Sequence, residues 1–416
     1  MTTSKAVVLA LIVAFGAAGV VAMVSRAPAS LRAGAQQGSI DPSLGDHFTD
    51  AEIIRHAAYR GPAYLALLLT LVVEVAALLL VARGPFAALV DHLPRAWPLQ
   101  AALGGSLLAA WMWIVLLPLN YVQGFAIRHA WGLSTQSIIG WLSDHGKGLF
   151  LSLVFAAIGA VVFYGIVRWQ PRSWWLIGWA TFSVLQLLLV YLFPIVIAPL
   201  FNRFTPVEDD LAARVKALAA EAGVEIDRVL VSDASRRTTA QNAHVAGLGT
   251  TKRVVLDDTL LAGNEEDETM FVVAHELAHE AEGHVLKGVV LSAFGLLFGF
   301  AALAWLATRT GLWAWAGATG ISDVRGLPLL LLAVVVLTAL ATPASNAVSR
   351  SFEADADRMA FELTGDPEPA VRAFRRLAFS NLADLRPPKA LVYLLFSHPP
   401  LPERIRAAVA TGGTSP

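Results

Sequence analysis

The sequence has no cysteine, few charged residues and almost no net charge. Of its 416 residues 15% are charged, whereas ordinary globular domains carry about 25%. The absence of cysteine excludes disulfides, thiolate metal ligands and a cysteine nucleophile, so any metal must be bound by histidine and carboxylate groups. The formal net charge of −1 gives no electrostatic basis for nucleic-acid binding.

Apolar residues, in contrast, are abundant. They make up 56% of the chain, and the mean hydropathy is +0.60, which is typical of a multi-spanning membrane protein. About seven apolar stretches are long enough to cross roughly 30 Å of hydrocarbon. They lie near residues 6–24, 62–82, 99–119, 148–168, 174–199, 285–308 and 327–348. The first could be a signal peptide, but its apolar run exceeds the usual ~7–15 residues, which favours a retained span.

Positive charge predicts how these spans are oriented. With seven spans, the polar segments 201–284 and 350–416 lie on the same side of the membrane. Together they hold more arginine than the opposite side, although the excess over short loops alone is small. The positive-inside rule therefore predicts that both segments and the C-terminus are cytoplasmic.

One predicted helix carries a motif with a direct chemical meaning. Residues 275–279 read His-Glu-Leu-Ala-His and follow an apolar run. Residues four apart share a helix face, so His275 and His279 would point to one metal ion, with Glu276 beside it. This is the arrangement of a zinc peptidase, in which glutamate is the general base. Because five residues can match by chance, the alternative is a polar turn on a surface helix.

A catalytic zinc ion needs a third protein ligand and one open position. His284 follows the motif, but its spacing departs from the metzincin pattern, and on a continuous helix it would be rotated by about 180° from His275. We therefore expect His284 to lie behind the ligands or along the wall of the site. Glu353 is the better candidate ligand. Asp357, four residues later, would accept the ring N–H of a ligand histidine. The alternative is a helix that is simply acidic on its solvated side.

The sequence also predicts local elements in the polar segments. Expected helices lie near 207–222, 346–363, 367–380 and 401–410, and expected strands near 228–232, 242–246 and 253–256. Asn264 precedes four acidic residues and is expected to be the N-cap of the motif helix. Residues 411–416 are expected to be disordered.

Together these segments resemble the type-I CAAX prenyl proteases, integral-membrane zinc metalloendopeptidases of the gluzincin group. The matching segments occur in order and cover essentially the whole chain, at 197–206, 242–243, 252–260, 275–284, 349–357 and 397–405. The resemblance implies a mainly α-helical integral membrane protein with about seven transmembrane helices around a water-filled chamber. It also implies a zinc-metallopeptidase domain with a small β-sheet.

The resemblance assigns expected roles to individual residues. It implies His275, His279 and Glu353 as ligands of one Zn²⁺ ion and Glu276 as the general base. Asp357 would orient a ligand or donate a proton, and His398, in Ser397-His398-Pro399-Pro400, would approach the scissile carbonyl. Arg404 would orient the substrate or a carboxylate. The alternatives are a plain helix-initiating turn for His398 and a surface ion pair for Arg404.

The family also holds its peptide substrate as an added β-strand. Asn242 and Ala243 match the edge strand that receives it, and the alternative for Asn242 is a turn residue. The expected organisation is transmembrane helices in 1–200, a catalytic segment in 201–284, two further spans in 285–348, and a second catalytic segment in 349–416.

The substrate and the cellular setting remain open at this point. CAAX-type processing of prenylated C-termini and turnover of membrane proteins are equal candidates. The Ala-, Leu- and Arg-rich composition favours a bacterial inner membrane. Two other hypotheses are a transporter with a structural zinc site and an inactive peptidase that sequesters peptides. The sequence does not indicate an oligomeric state.

Overall fold

Seven long apolar helices dominate the structure, a computed structural model that describes residues 3–26, 48–207, 210–247, 249 and 252–412. Seven helices among these residues are long and apolar enough to cross a membrane, as the sequence predicts. They are Ser4–Val24, Asp50–Ala82, Trp97–Ala130, Ile138–Trp169, Trp174–Phe201, His284–Ala307 and Val324–Thr364. Residues 208–209, at the start of the helix predicted over 207–222, and 413–416, in the predicted disordered tail, lie outside the described residues.

The helices are numbered here along the chain. They are α1 (Thr3–Val24), α2 (Asp50–Ala82), α3 (Pro85–Val90), α4 (Trp97–Tyr121), α5 (Arg128–Ala130), α6 (Ile138–Trp169), α7 (Trp174–Leu192), α8 (Ala198–Phe201), α9 (Asp210–Glu221), α10 (Asp258–Gly263), α11 (Glu266–Ala281), α12 (His284–Ala307), α13 (Thr310–Trp315), α14 (Leu327–Thr364), α15 (Glu368–Ser380), α16 (Lys389–Leu395) and α17 (Leu401–Gly412). Wider π-helical turns at Val122–Ile127 and Phe193–Ile197 extend α4 and α7, and short 3₁₀ turns lie at Ala234–Arg236 and Val324–Gly326.

The last span continues far beyond the thickness of a membrane. α14 has 38 residues, which at 1.5 Å per residue makes it about 57 Å long. The sequence predicts a span over 327–348 followed by a polar helix over 346–363, and the structure joins the two in one helix. Pro343 is accommodated inside it without ending it. α14 therefore carries Glu353 and Asp357 on a rigid extension of a membrane helix.

A small sheet packs beside the motif helix. Its four strands are β1 (Phe204–Pro206), β2 (Arg228–Ser232), β3 (Ala243–Ala246) and β4 (Arg253–Asp257). The spatial order is β1-β2-β4-β3, with β2 and β4 parallel and the two outer strands antiparallel to their neighbours. β3 is therefore an edge strand, and its second side pairs with no other strand among the described residues.

The core of the polar part is built around α11. Phe271 is fully buried, and its ring stacks on Phe361 of α14 at 5.7 Å and meets the edge of Phe374 of α15 at 5.2 Å. The apolar residues around the motif, including Val273 and Leu277, are buried in the same cluster with β2 and β4. Three elements from distant parts of the sequence thus fix the position and the rotation of α11.

The start of α11 corrects one prediction from the sequence. Glu265, and not Asn264, is the N-cap, and its N–H donates to Glu268 Oε2 at 3.0 Å. Asn264 instead follows the end of α10, where its Nδ2 donates to the Leu260 carbonyl at 2.8 Å. The Glu268 carboxylate is fully buried and also bound by the guanidinium of Arg372 at 3.0 Å, so tertiary contacts decide where the helix begins.

Candidate metal centre

Three side chains from two helices converge on one point. His275 and His279 lie one turn apart on α11, and Glu353 projects from α14, which packs against it. The two histidine Nε2 atoms are 3.2 Å apart. Glu353 Oε2 lies 3.3 Å from Nε2 of His275, and Oε1 lies 3.4 Å from Nε2 of His279. One potential ligand atom from each residue falls within 4.8 Å of the other two.

These distances fit a zinc ion. Zinc bonds to nitrogen and oxygen are about 2.0–2.2 Å long, and tetrahedral geometry then places ligand atoms about 3.3 Å apart. Glu353 Oε2 is buried and has no hydrogen-bond donor among the described residues. A bound cation would satisfy this oxygen, because buried polar atoms are rarely left without a partner. No fourth His, Cys, Asp or Glu among the described residues joins this group. Three protein ligands would leave one coordination position open, which distinguishes a catalytic zinc site from a closed structural one.

Glu276 lies on the same turn of α11 as the first histidine and faces the open side of the group. Glu276 is only partly buried, whereas His275 is buried, with 7% of its surface exposed. Desolvation raises the pKa of the Glu276 carboxyl, against the opposing charges of His275 and His279. A glutamate carboxylate beside a metal group can accept a proton and return it in a later step.

Asp357 and Arg404 form a buried pair behind His275. Asp357 Oδ1 lies 3.0 Å from His275 Nδ1, and the side chain of Arg404 donates to both oxygens of Asp357, at 2.8 and 2.6 Å. This carboxylate fixes the tautomer of His275, with its proton on Nδ1 and its Nε2 lone pair directed at Glu353 and His279. Burial opposes the charge of Arg404, but Asp357 and Glu353 outweigh it and raise the pKa of the guanidinium.

The structure places His284 behind His279, one of the two positions that the sequence allows for it. Gly283 adopts φ 65° between α11 and α12, so the continuous helix assumed in the sequence argument does not exist. The break turns His284 back, and its Nδ1 lies 3.0 Å from Nδ1 of His279. The ring also stacks on Phe352 at 4.3 Å. His279 is thus held on its outer side as His275 is.

His398 approaches the group from a third segment. It lies in the turn between α16 and α17, and its Nε2 is 3.2 Å from Glu353 Oε1. Its side chain is 60% exposed, so it reaches the group from the open side. Ser397 Oγ lies 2.9 Å from its Nδ1 and steadies the ring.

The converging side chains line a chamber of about 820 Å³. Asn242, which precedes β3, and Ala243, the first residue of β3, lie in its wall. Asn242 is exposed and Ala243 is buried. Other wall residues, which no motif of the sequence indicates, come from α2 and from the segment after α15. They are Arg60, Ala63, Tyr64, Leu67, Asn381, Ala383 and Asp384. The one feature of the sequence that could have indicated Arg60 is its position, because it is a charged residue at the polar start of a helix that is otherwise apolar.

Comparison with known proteins decides the family. The sequence profile of peptidase family M48 matches residues 207–411, and a profile described as "CAAX prenyl protease N-terminal, five membrane helices" matches residues 31–203. The chain belongs to peptidase family M48. It is therefore a membrane zinc metallopeptidase, and His275, His279 and Glu353 are its candidate metal-binding group.

Individual relatives agree with this family. A protein of Bacillus subtilis named uncharacterized metalloprotease YhfN is 35% identical over 71% of this chain and 70% of its own length. CAAX prenyl protease 1 of Saccharomyces cerevisiae is 30% identical over 73% and 70%, respectively. The crystal structure of Ste24p from S. mikatae superposes with a TM-score of 0.79 over 97% of this chain and 99% of that one at 23% identity, which shows the shared fold. These findings favour the peptidase over the transporter hypothesis.

Proposed function

We propose that this metallopeptidase hydrolyses backbone amide bonds of peptides bound in its chamber, and that CAAX-type processing near a C-terminus is its activity. The observation that carries this proposal is the set of three ligand-atom distances, 3.2, 3.3 and 3.4 Å, beside an open position and a free glutamate. In this proposal His275, His279 and Glu353 hold one zinc ion. When bound, the ion supplies a Lewis acid and lowers the pKa of a coordinated water.

The remaining chemistry belongs to side chains on the open side of the group. Glu276 takes a proton from the attacking water and later returns it to the leaving amine. The negative charge that develops on the scissile carbonyl oxygen is stabilised by the ring of His398, which lies beside Glu353 on the exposed side.

Asp357 and Arg404 act behind the ligands. We assign Asp357 to holding the ring of His275 and Arg404 to holding Asp357, since the two shortest hydrogen bonds of the guanidinium run to that carboxylate. Of the two roles expected for Arg404, orienting a carboxylate is thus the one that its geometry supports. A group 8% exposed and already paired is poorly placed to hold a substrate.

The edge strand β3 supports binding of the substrate as an added strand. Asp257 N donates to Asn242 O at 3.0 Å, which marks a hydrogen-bonded pair of the antiparallel ladder. Alternate residues turn their backbone groups to the other side, so those of Ala243 and Val245 point away from β4. Both residues can therefore bond an extended peptide through the main chain, without reading its side chains.

The strand hypothesis has a direct test. Methylating single backbone nitrogens of a peptide substrate should lower kcat/KM by about two- to twelvefold at alternate positions only, because each removed hydrogen bond is worth about 0.5–1.5 kcal/mol. Methylation at the intervening positions is the matched control. Equal losses at every position would contradict strand addition.

The chain is an integral multi-pass membrane protein, and we propose its orientation from charge. The arginine excess on the side of 201–284 and 349–416 supports a cytoplasmic catalytic face in a bacterial inner membrane. In this arrangement 1–200 and 285–348 are the membrane parts, and the other two segments build the site.

The central experiment compares Glu276→Gln with the wild type. Purified protein in detergent is given a prenylated CAAX peptide and an unprenylated copy, and zinc is measured in both proteins. We expect stoichiometric zinc in both and cleavage by the wild type alone, since the substitution removes only the proton acceptor. Cleavage by the variant would refute the role of Glu276. Equal cleavage of both peptides would favour turnover of proteins over CAAX processing.

A further inference from the structure

One cation in the chamber wall has no anionic partner among the described residues. Arg60 lies on α2, two residues before the apolar part of that span, and lines the same chamber as the metal group. Its Nε donates to the carbonyl of Leu382 at 2.7 Å and its Nη2 to that of Asn381 at 2.9 Å. Both partners are neutral. Within the described part of the chain, no carboxylate oxygen lies within 4.0 Å of its nitrogens.

This environment differs from that of the other arginine in the chamber wall. Arg404 is buried, and its charge is matched by Asp357 at 2.6 Å. Arg60 is only partly buried, and its Nη1 makes no hydrogen bond to any described residue. Asp384, a nearby carboxylate in the wall, accepts from the hydroxyl of Tyr64 at 2.6 Å instead. The guanidinium, which lies 5.4 Å from the centroid of the Tyr59 ring, thus keeps its charge and the donor capacity of Nη1.

The position of Arg60 is rigid. It belongs to a stripe of polar residues on α2 at intervals of four, formed by Glu52, His56, Arg60 and Tyr64. Each contacts the segment from Arg375 to Asp384: Glu52 binds Arg375 at 3.1 Å, and His56 Nδ1 lies 2.7 Å from the carbonyl of Ala383. Because four successive turns are held in this way, the guanidinium is presented in one orientation and loses little entropy on binding.

We propose that Arg60 binds the C-terminal carboxylate of the peptide substrate, an inference that rests on the proposed function. A guanidinium is planar and matches a carboxylate with two parallel hydrogen bonds. A C-terminal peptide carries this group at its end whatever its sequence. The chamber would therefore recognise the chain terminus, while β3 holds the backbone.

Such a contact has a consequence for the products. Arg60 and the metal group are both fixed to the scaffold, so the number of residues between the bound carboxylate and the cut is constant. Substrates that differ in length on the N-terminal side should all release a C-terminal fragment of the same length, measured by mass spectrometry.

The test uses two peptides that differ only at the C-terminus, one a free carboxylate and one an amide. Full-length protein in detergent is assayed as wild type, Arg60→Gln and Arg60→Lys. Hydrogen bonds to charged groups are worth about 1.5–3 kcal/mol, so the wild type should prefer the carboxylate by roughly 10- to 100-fold in kcat/KM. The ratio should fall towards one in Arg60→Gln and be partly retained in Arg60→Lys.

Arg350→Gln is the matched control. Arg350 also donates to two backbone carbonyls, those of Val392 at 3.1 Å and Phe396 at 2.6 Å, but is not part of the chamber wall. It should keep the wild-type ratio. A purely structural role of Arg60 would lower cleavage of both peptides equally, and this result would overturn the proposal.

The remaining outcomes are also decisive. A wild type that cleaves both peptides equally refutes the carboxylate site and leaves the peptidase intact. If neither peptide is cleaved, the proposed function fails, and the affinities of Glu276→Gln for the two peptides then decide about Arg60. Equal affinities of Glu276→Gln for the carboxylate and the amide peptide would refute the carboxylate site at Arg60. If Arg60→Gln does not fold, the ratios of the wild type and Arg60→Lys still test it.

Discussion

Replacing Asp357 with Asn tests how the metal group is positioned. The substitution keeps the shape of the side chain but removes the charge that accepts the proton of His275 Nδ1 at 3.0 Å. Loss of such an outer partner typically lowers metal affinity by about 10- to 100-fold, which corresponds to about 1.4–2.7 kcal/mol. We therefore expect weaker zinc binding without loss of any ligand.

The same substitution leaves Arg404 buried without its carboxylate. Removing one partner of a buried ion pair costs about 3–5 kcal/mol in stability. The expected loss is at the lower end, because Glu353 Oε2 remains 3.6 Å from Nη1 of Arg404. Asp357→Asn combined with Arg404→Met removes the unpaired charge as well. The double variant should regain stability but not zinc affinity, which separates the two effects.

The assay is competition for zinc with a chelator of known affinity, together with thermal unfolding of each protein in detergent. Asp355→Asn is the control on the same helix: within the described part of the chain Asp355 forms an ion pair with Arg358 alone, and the two side chains are 45% and 64% exposed. An exposed pair contributes at most about 1 kcal/mol, so this variant should behave as wild type. Unchanged zinc affinity in Asp357→Asn, or affinity restored in the double variant, would refute the reasoning.

Three further substitutions test other parts of the site. Gly283→Ala places a side chain at φ 65° and should cost about 1–2 kcal/mol in thermal unfolding, whereas Gly288→Ala, inside α12 with open space around it, should not destabilise. His284→Ala removes the group 3.0 Å from His279 Nδ1 and should lower zinc affinity about tenfold in the same competition assay. Phe271→Ala empties a fully buried site between three helices and should reduce the free energy of unfolding by about 3–5 kcal/mol, seen in denaturant titration.

The sequence predicts the ligands because their spacing reflects helix geometry. His275 and His279 are four residues apart, and Glu353 shares its helix face with Asp357, so periodicity alone brings each pair together. The seven membrane spans can be predicted from the sequence equally well, since length and hydropathy determine them. The convergence of the two pairs follows from packing between α11 and α14. The residues alone offered Glu353 as a candidate third ligand, with an acidic solvated helix face as the alternative, and the resemblance to a family favoured the ligand.

Local propensity failed where tertiary contacts decide. Asn264 is a good N-cap by type, but the buried carboxylate of Glu268, held by Arg372, sets the start of α11 at Glu265. At Gly283 the positive φ ends the helix and reverses the direction of His284. A periodicity argument that assumes one continuous helix cannot anticipate this turn.

Helix geometry also places the metal group relative to the membrane. The apolar part of α14 ends near residue 348, and Glu353 lies five residues later, about 8 Å further along the axis at 1.5 Å per residue. Arg60 lies just outside the apolar part of α2, and its contacts to Asn381 and Leu382 tie that end of α2 to the polar segments. Glu353 and Arg60 thus both lie next to the ends of apolar spans, whereas Leu67, another residue of the chamber wall, lies five residues inside the apolar part of α2. The wall of the chamber therefore runs from the polar segments into the apolar part of α2.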